Sequence, residues 1–284
     1  MSELTRRIIF AVIAAPAGVA VIYLGDWALA TMLAILSALG AWELFRFSKE
    51  TGTRAFEPAG IALAALIPIA VHASRLGVFN FPLTGIVAIV LLLFASTLWF
   101  RSVEGRPLPS VAITVFGVIY ASLITYVYAL RYHPYAVGAL AGTLIALLPI
   151  LLTWATDIGA YAFGRLFGKK KLMPSVSPGK TVAGALGGLI LTVVVCLLYV
   201  RFLMMPYAQL GLTVQGAVLF GIIVSAVGQI GDLAESLLKR EAGVKDSSTL
   251  LPGHGGILDR FDSLLFVLPI AYLVLGKLML PIPR

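Results

Sequence analysis

The sequence predicts an all-α integral membrane protein of about nine transmembrane helices, with its N-terminus in the cytoplasm. Three observations lead there. Sixty per cent of the 284 residues are hydrophobic and 12% are charged, against about 25% charged in a soluble domain. Mean hydropathy is +1.00. The apolar residues fall in runs near the ~20 residues that one bilayer crossing needs. The bases, finally, are distributed unevenly between alternate loops.

The first run, 7–25, follows Arg6 and Arg7 and resembles a signal peptide. It extends to Leu24 and further spans follow at once, so a signal anchor that stays as a span fits better. The next runs are 27–45, 57–74, 80–99 and 109–130. The 57–74 run is weak, and eight spans is the alternative count. The sixth, 136–163, is long for one crossing, so it tilts, kinks at Pro149 or projects into the cytoplasm. Runs 183–204, 213–238 and 263–282 complete the set.

With nine spans and the N-terminus inside, all but five of the 21 Lys and Arg lie on the cytoplasmic side; Arg75, Arg131, Arg201, Lys277 and Arg284 lie on the other. That asymmetry is the positive-inside bias. It accounts, with anionic lipid head groups, for most of the +8 net charge, so no nucleic-acid partner is implied. Cys196, the one cysteine, sits within an apolar run and reads as a small core residue. The chain reads as a single membrane domain, residues 1–284. Helices of 1–150 carry few polar landmarks, and catalytic helices and cytoplasmic loops are expected in 151–284.

Residues 236–262 form a polar island, SLLKREAGVKDSSTLLPGHGGILDRFD. Charges crowd like this in so apolar a chain when they sit in water, bind something charged, or both. Acids also occur in or beside the spans. Glu43 has Arg46 at i+3 and reads as a boundary residue in a helical ion pair. Asp157 lies between Trp154 and Tyr161, with bases following at once, and suits a ligand or metal role or a hydrogen-bonded structural one. Asp232, Glu235 and Ser236 share one helix face, and Gly228 and Gly231 before them permit close approach. Asp259 and Asp262 repeat the spacing. Paired carboxylates at two helix ends suit Mg²⁺, which keeps waters and bridges to substrate phosphates. The alternative is a structural network with Lys239, Arg240 and Arg260.

Two segments suit phosphate. Ser177 to Thr181, SPGKT, resembles the end of a P-loop, but Pro174 stands where a P-loop needs glycine. Lys180 still offers a point charge, Ser177 and Thr181 hydroxyls, and the following helix free N–H groups. Arg165, Lys169, Lys170 and Lys171 stand on the same 164–181 loop, which alternatively touches lipid phosphates. The second segment, Pro252 to Gly256, is a tight loop in which His254 is a phosphate donor or acid. A metal–carboxylate site beside clustered bases points to phosphoryl or nucleotidyl transfer, and the greasy remainder to a lipid substrate.

The island resembles the signature of the phosphatidate cytidylyltransferase (CDP-diacylglycerol synthase) family. The match runs through Ser236, Leu238, Lys239, Arg240, Lys245, Asp246, Ser248, Pro252, His254, Gly255, Gly256, Ile257, Asp259, Arg260, Phe261 and Asp262. A second block of the family resembles 157–181, with Asp157, Phe163-Gly164-Arg165, Ser177-Pro178 and Lys180-Thr181. Ala183 departs from the polar or acidic residue common there. The resemblance implies attack of a phosphatidate oxygen on the α-phosphorus of CTP. It implies Asp232 and Asp259 as core Mg²⁺ ligands, with Asp157, Glu235 and Asp262 as further ones and a second cation possible. Lys180 would hold a phosphate, and Lys239, Arg240, Lys245 and Arg260 would clamp the rest, with Asp246 and His254 beside the substrates. CTP would enter from the cytoplasm and phosphatidate from between the helices of a bacterial-type inner membrane. Membrane lipids are then neighbours, and a homodimer is plausible. A CTP-dependent lipid kinase and a transporter are the competing readings.

Overall fold

The computed structural model describes residues 3–80, 82–102, 104–250 and 255–282. Helices dominate: α1 Glu3–Leu24, α2 Asp26–Glu50, α3 Glu57–Arg75, α4 Leu83–Phe100 and α5 Pro107–Ser122. A 3₁₀ turn, Leu123–Thr125, joins α5 to α6, Tyr126–Arg131; α7 is Gly138–Phe167. An antiparallel hairpin of β1 Lys171–Met173 and β2 Ser177–Thr181 leads into α8, Val182–Tyr199, which runs on as a π-helical stretch, Val200–Ala208. After these come α9 Val214–Glu241 and α10 Leu258–Leu278, and two short strands, β3 Leu210–Gly211 and β4 Leu280–Pro281, pair with each other.

Seven helical stretches among the described residues are long and apolar enough to cross a membrane. The first and fourth predicted spans appear there as shorter apolar helices, Val12–Leu24 and Thr84–Phe100. This is an all-α integral membrane protein. The 30 residues of α7 make a rod of about 45 Å at 1.5 Å per residue, against a hydrocarbon layer of ~30 Å. The helix is unbroken at Pro149, so its excess length is met by tilt or projection. One expectation is revised. Residues 164–181 are not simply a loop, because α7 continues to Phe167 and the hairpin fills most of the rest.

The chain forms two compact units. The first holds Asp26–Thr125 with Leu238–Arg260 and the start of α1; the second holds Tyr126–Leu237 with Ile8–Gly25 and the chain from Phe261 onward. In the first unit the fully buried Phe45 of α2 lies against Gly60 of α3 and Gly117 of α5. A Cβ at either glycine would overlap the ring, so the two small residues let three helices close around one large side chain.

In the second unit α7 and α8 pack backbone to backbone. A Cβ at Gly159 would stand 2.7 Å from the Gly187 carbonyl oxygen, one at Gly184 2.7 Å from that of Ala160, and one at Gly188 2.8 Å from that of Thr156. Small residues at such an interface let membrane helices gain dispersion contacts where lipid gives no hydrophobic drive. Gly184, Gly187 and Gly188 are thus used within the chain. Beside them Thr156 and Thr192 hydrogen-bond through their hydroxyls at 2.7 Å, one donating to the other, with the Leu152 and Gly188 carbonyls as the remaining acceptors.

Candidate active site

The close α7–α8 contact opens into a cavity of about 730 Å³. Asp157, Tyr161 and Arg165 of α7 line it, at i, i+4 and i+8, so they share one helix face. Gly179 to Thr181 come from β2, Gly184 and Ala185 from α8, and Gln229 and Asp232 from α9. The backbone fixes Lys180 closely. Lys171 pairs with Thr181 across the hairpin, and Thr181 caps α8 by accepting from the Gly184 N–H at 3.1 Å. Lys180 therefore directly precedes the residue that caps α8, and its Nζ reaches Asp232 Oδ2 at 2.6 Å.

Asp232 meets Ser236 Oγ at 3.4 Å through its other oxygen. Gln229 donates to the Ala185 carbonyl at 3.2 Å, tying α9 to α8 beside the cavity. Arg165 donates to the Tyr161 hydroxyl at 3.0 Å and is otherwise exposed. The cavity thus combines two carboxylates with two cationic groups, the pattern for binding a cation and an anion side by side.

The polar island is organised in the first unit around two other carboxylates. Asp259, in the first turn of α10, accepts from Lys239 Nζ at 2.7 Å on Oδ1. Its Oδ2 accepts from Ser247 N at 2.8 Å, Ser247 Oγ at 2.9 Å and Gly256 N at 2.8 Å. Four donors match the roughly four lone-pair sites of a carboxylate. Glu43 is the second carboxylate, and the expected ion pair with Arg46 is corrected. Glu43 is 0% exposed. Its Oε1 accepts from Ser248 Oγ at 2.6 Å and Ile257 N at 2.9 Å, and its Oε2 from Ser247 Oγ and Leu258 N, both at 2.8 Å. Arg46 is exposed and lies over the Trp42 ring, 5.1 Å from its centre.

The remaining predicted residues divide by exposure. Lys239 is buried against Asp259, whereas Arg240, Lys245, Asp246 and Arg260 are exposed. Ser177 is half-buried on β2, and Thr181 is a buried helix cap. Glu235 is fully buried on α9. Asp262 accepts from the Ser263 N–H, and its carbonyl lies against Gly231. His254 and Pro252 lie outside the described residues. Asp157, Asp232 and Lys180 come together on the cavity; Asp259 and Lys239 come together in the island. Sequence reasoning read Glu43 as a boundary residue and did not single out Ser247 or Gln229. The one available signal for Glu43 was a carboxylate inside an apolar run, which its neighbour Arg46 explained away.

Helices long and apolar enough to cross a membrane thus carry charged groups on a cavity suited to an anionic ligand, in an integral membrane protein. The chain matches the Cytidylyltransferase family over residues 5–278. Phosphatidate cytidylyltransferase of Staphylococcus haemolyticus (strain JCSC1435) is 40% identical over 215 residues, covering 75% of this chain and 77% of the relative. The protein of that name from Staphylococcus saprophyticus is 52% identical over 129 residues, and that of Staphylococcus aureus (strain COL) 49% over 132 residues, each covering 45% of this chain and 48% of the relative. The chain belongs to the cytidylyltransferase family and is a nucleotidyltransferase.

Proposed function

We propose that the protein catalyses CTP + phosphatidate → CDP-diacylglycerol + pyrophosphate. The observation that carries this reading is the cavity of the second unit, where Asp157, Asp232 and Lys180 converge among helices long enough to cross a membrane. Family membership and the names of the relatives support the specific substrates.

A phosphatidate oxygen attacks the α-phosphorus of CTP, the new P–O bond forms, and the bond to the pyrophosphate oxygen breaks. A phosphate monoester is already largely anionic near neutral pH, so no strong general base is needed. The barrier is the approach of two polyanions, and fixed positive groups lower it. Lys180 turns from Asp232 to a phosphate, its backbone held by the hairpin and the α8 cap. Arg165 offers a second, forked donor set at the cavity mouth. Lys239, Arg240, Lys245 and Arg260 serve as further phosphate clamps.

Among the described residues no group of three or more His, Cys, Asp or Glu is placed to hold a metal ion. Two carboxylates lining one cavity still suit Mg²⁺, which binds through one or two carboxylates plus substrate phosphates. Asp157 and Asp232 would hold it there. Asp259, in the first unit, is a separate proposed ligand, and coordination there would require Lys239 to leave its Oδ1. When bound, Mg²⁺ supplies neutralisation of phosphate charge. The bias of bases favours a cytoplasmic site in a bacterial-type inner membrane, where CTP is available.

The test uses purified protein, phosphatidate, Mg²⁺ and CTP labelled separately at the α- and γ-phosphates. Label from the α-phosphate in lipid, released pyrophosphate and no turnover in EDTA are expected. Label from the γ-phosphate would make the protein a lipid kinase, and turnover persisting in EDTA would remove the metal.

A further inference from the structure

Glu43, like Asp259, accepts four hydrogen bonds, and it has no role in the proposed reaction. A carboxylate taken out of water is tolerated when charge-assisted hydrogen bonds replace its hydration. Glu43 has four, and all come from the polar island: the hydroxyls of Ser247 and Ser248, and the backbone N–H groups of Ile257 and Leu258. The two N–H groups open α10, where unsatisfied donors and the helix dipole favour an anion. Glu43 therefore caps α10 from another helix while it grips the 247–248 segment. Gly256 completes the fit, since a Cβ there would overlap both Ser247 and Glu43.

The grip passes on to Asp259. Ser247 Oγ stands 2.8 Å from Glu43 Oε2 and 2.9 Å from Asp259 Oδ2, and its single proton is shared between them. Ser247 N and Gly256 N, both placed by the same grip, donate to Asp259 Oδ2. Asp259 Oδ1 is thereby aimed at Lys239. We propose that Glu43 is a positioning residue that sets residues 247–250 and 255–258 and, through Ser247 and Gly256, the placement of Asp259 and Lys239 for nucleotidyl transfer. The inference rests on the proposed cytidylyltransferase reading for its kinetic part alone.

Glu43→Gln is the test. Each oxygen of Glu43 receives one serine hydroxyl and one backbone N–H. Serine can rotate to accept from the new amide NH₂, but a backbone N–H cannot, so either amide orientation sets two donors face to face. Hydrogen–deuterium exchange in detergent reads the grip directly. Peptides covering Ile257 and Leu258 should exchange at least tenfold faster in Glu43→Gln, with Glu43→Asp, which keeps the charge, recovering part of that protection. In the same preparations kcat should fall at least tenfold in Glu43→Gln with KM for CTP within about twofold, and Glu43→Asp should recover part of it.

Unchanged exchange in Glu43→Gln overturns the grip. Faster exchange with unchanged kcat overturns the positioning role, as does a kcat loss that merely tracks a fallen Tm across both variants. If Glu43→Gln does not fold, Ser248→Ala, which removes one donor to Glu43 and none to Asp259, should show the same two effects in smaller measure; its absence from either readout overturns the proposal. A wild-type protein that makes no CDP-diacylglycerol would sink the proposed reaction, and the exchange comparison would still decide the grip.

Discussion

Replacing Lys180 by Met separates what its ammonium does for folding from what it does for reaction. The side chains of Lys180 and Asp232 are 24% and 31% exposed and meet at 2.6 Å. A partly exposed pair of this kind contributes about 0–1 kcal/mol, a shift in Tm of about 2–4 °C at most for a chain of this size class. A preorganised donor aimed at charge that develops in the transition state contributes about 2.7–4 kcal/mol, which is about 10²–10³ in rate at 1.36 kcal/mol per decade. Lys180→Met should therefore cost two to three decades in kcat/KM with a small change in Tm. Lys180→Arg should fall between, since it keeps the charge but replaces a compact ammonium by a planar fork. Initial rates of CDP-diacylglycerol formation against CTP concentration, with melting followed on the same preparations, measure both. A kcat/KM within threefold of wild type would refute the role of Lys180. A rise in KM at constant kcat would make its contact with substrate uniform through the reaction.

Asp259→Asn should lose both turnover and heat resistance, because it leaves the Lys239 ammonium, 11% exposed in its side chain, facing a neutral amide. Breaking a buried pair from one side costs about 3–5 kcal/mol; adding Lys239→Met should restore Tm without restoring turnover, and a double variant no more stable than the single would contradict this. Gly188→Val should destabilise the second unit by about 1–3 kcal/mol, since its Cβ would stand 2.8 Å from the Thr156 carbonyl oxygen; an unchanged melting curve would mean that α7 and α8 are not in backbone contact. His133, in the α6–α7 connection, is 4% exposed, and burial lowers its pKa below the ordinary 6.5. The unfolded chain then binds a proton more readily than the native one, so stability is complete above about pH 6.5 and falls as pH drops below it. His133→Gln should flatten the fall in Tm between pH 7 and 5, and an unaltered slope would assign it to other groups.

The helices were legible because a bilayer imposes one period and one length on every apolar run. The nine segments read from the sequence overlap helical stretches for that reason, although the last runs past the end of α10 at Leu278 and seven stretches among the described residues are long and apolar enough to cross a membrane. The hairpin was not legible. Lys171–Met173 and Ser177–Thr181 are short and rich in Lys, Pro and Gly, so nothing in their composition favours a strand, and their pairing follows from the ends of α7 and α8 that they join. The motif residues of the candidate site were legible as residue types, while their partners were not. Lys180 and Asp232 are fifty-two positions apart, and Glu43 meets donors 204 to 215 positions away. Local spacing offered Arg46 for Glu43 and had no means of offering Ser247. The grouping of acids also differs from the simplest reading of helix ends. Asp232 belongs to one compact unit with Asp157 and Lys180, and Asp259 to the other with Lys239 and Glu43.

The hairpin gives the protein a handle. Its base is pinned twice, by the pairing of Lys171 with Thr181 and by the cap on α8, and the residue that faces the cavity sits at that base. Its tip, Pro174 and Ser175, is exposed and lies at the other end of both strands. Position and freedom are thus divided along a few residues of chain. The tip can be lengthened, shortened or tagged while the root of Lys180 stays where it is.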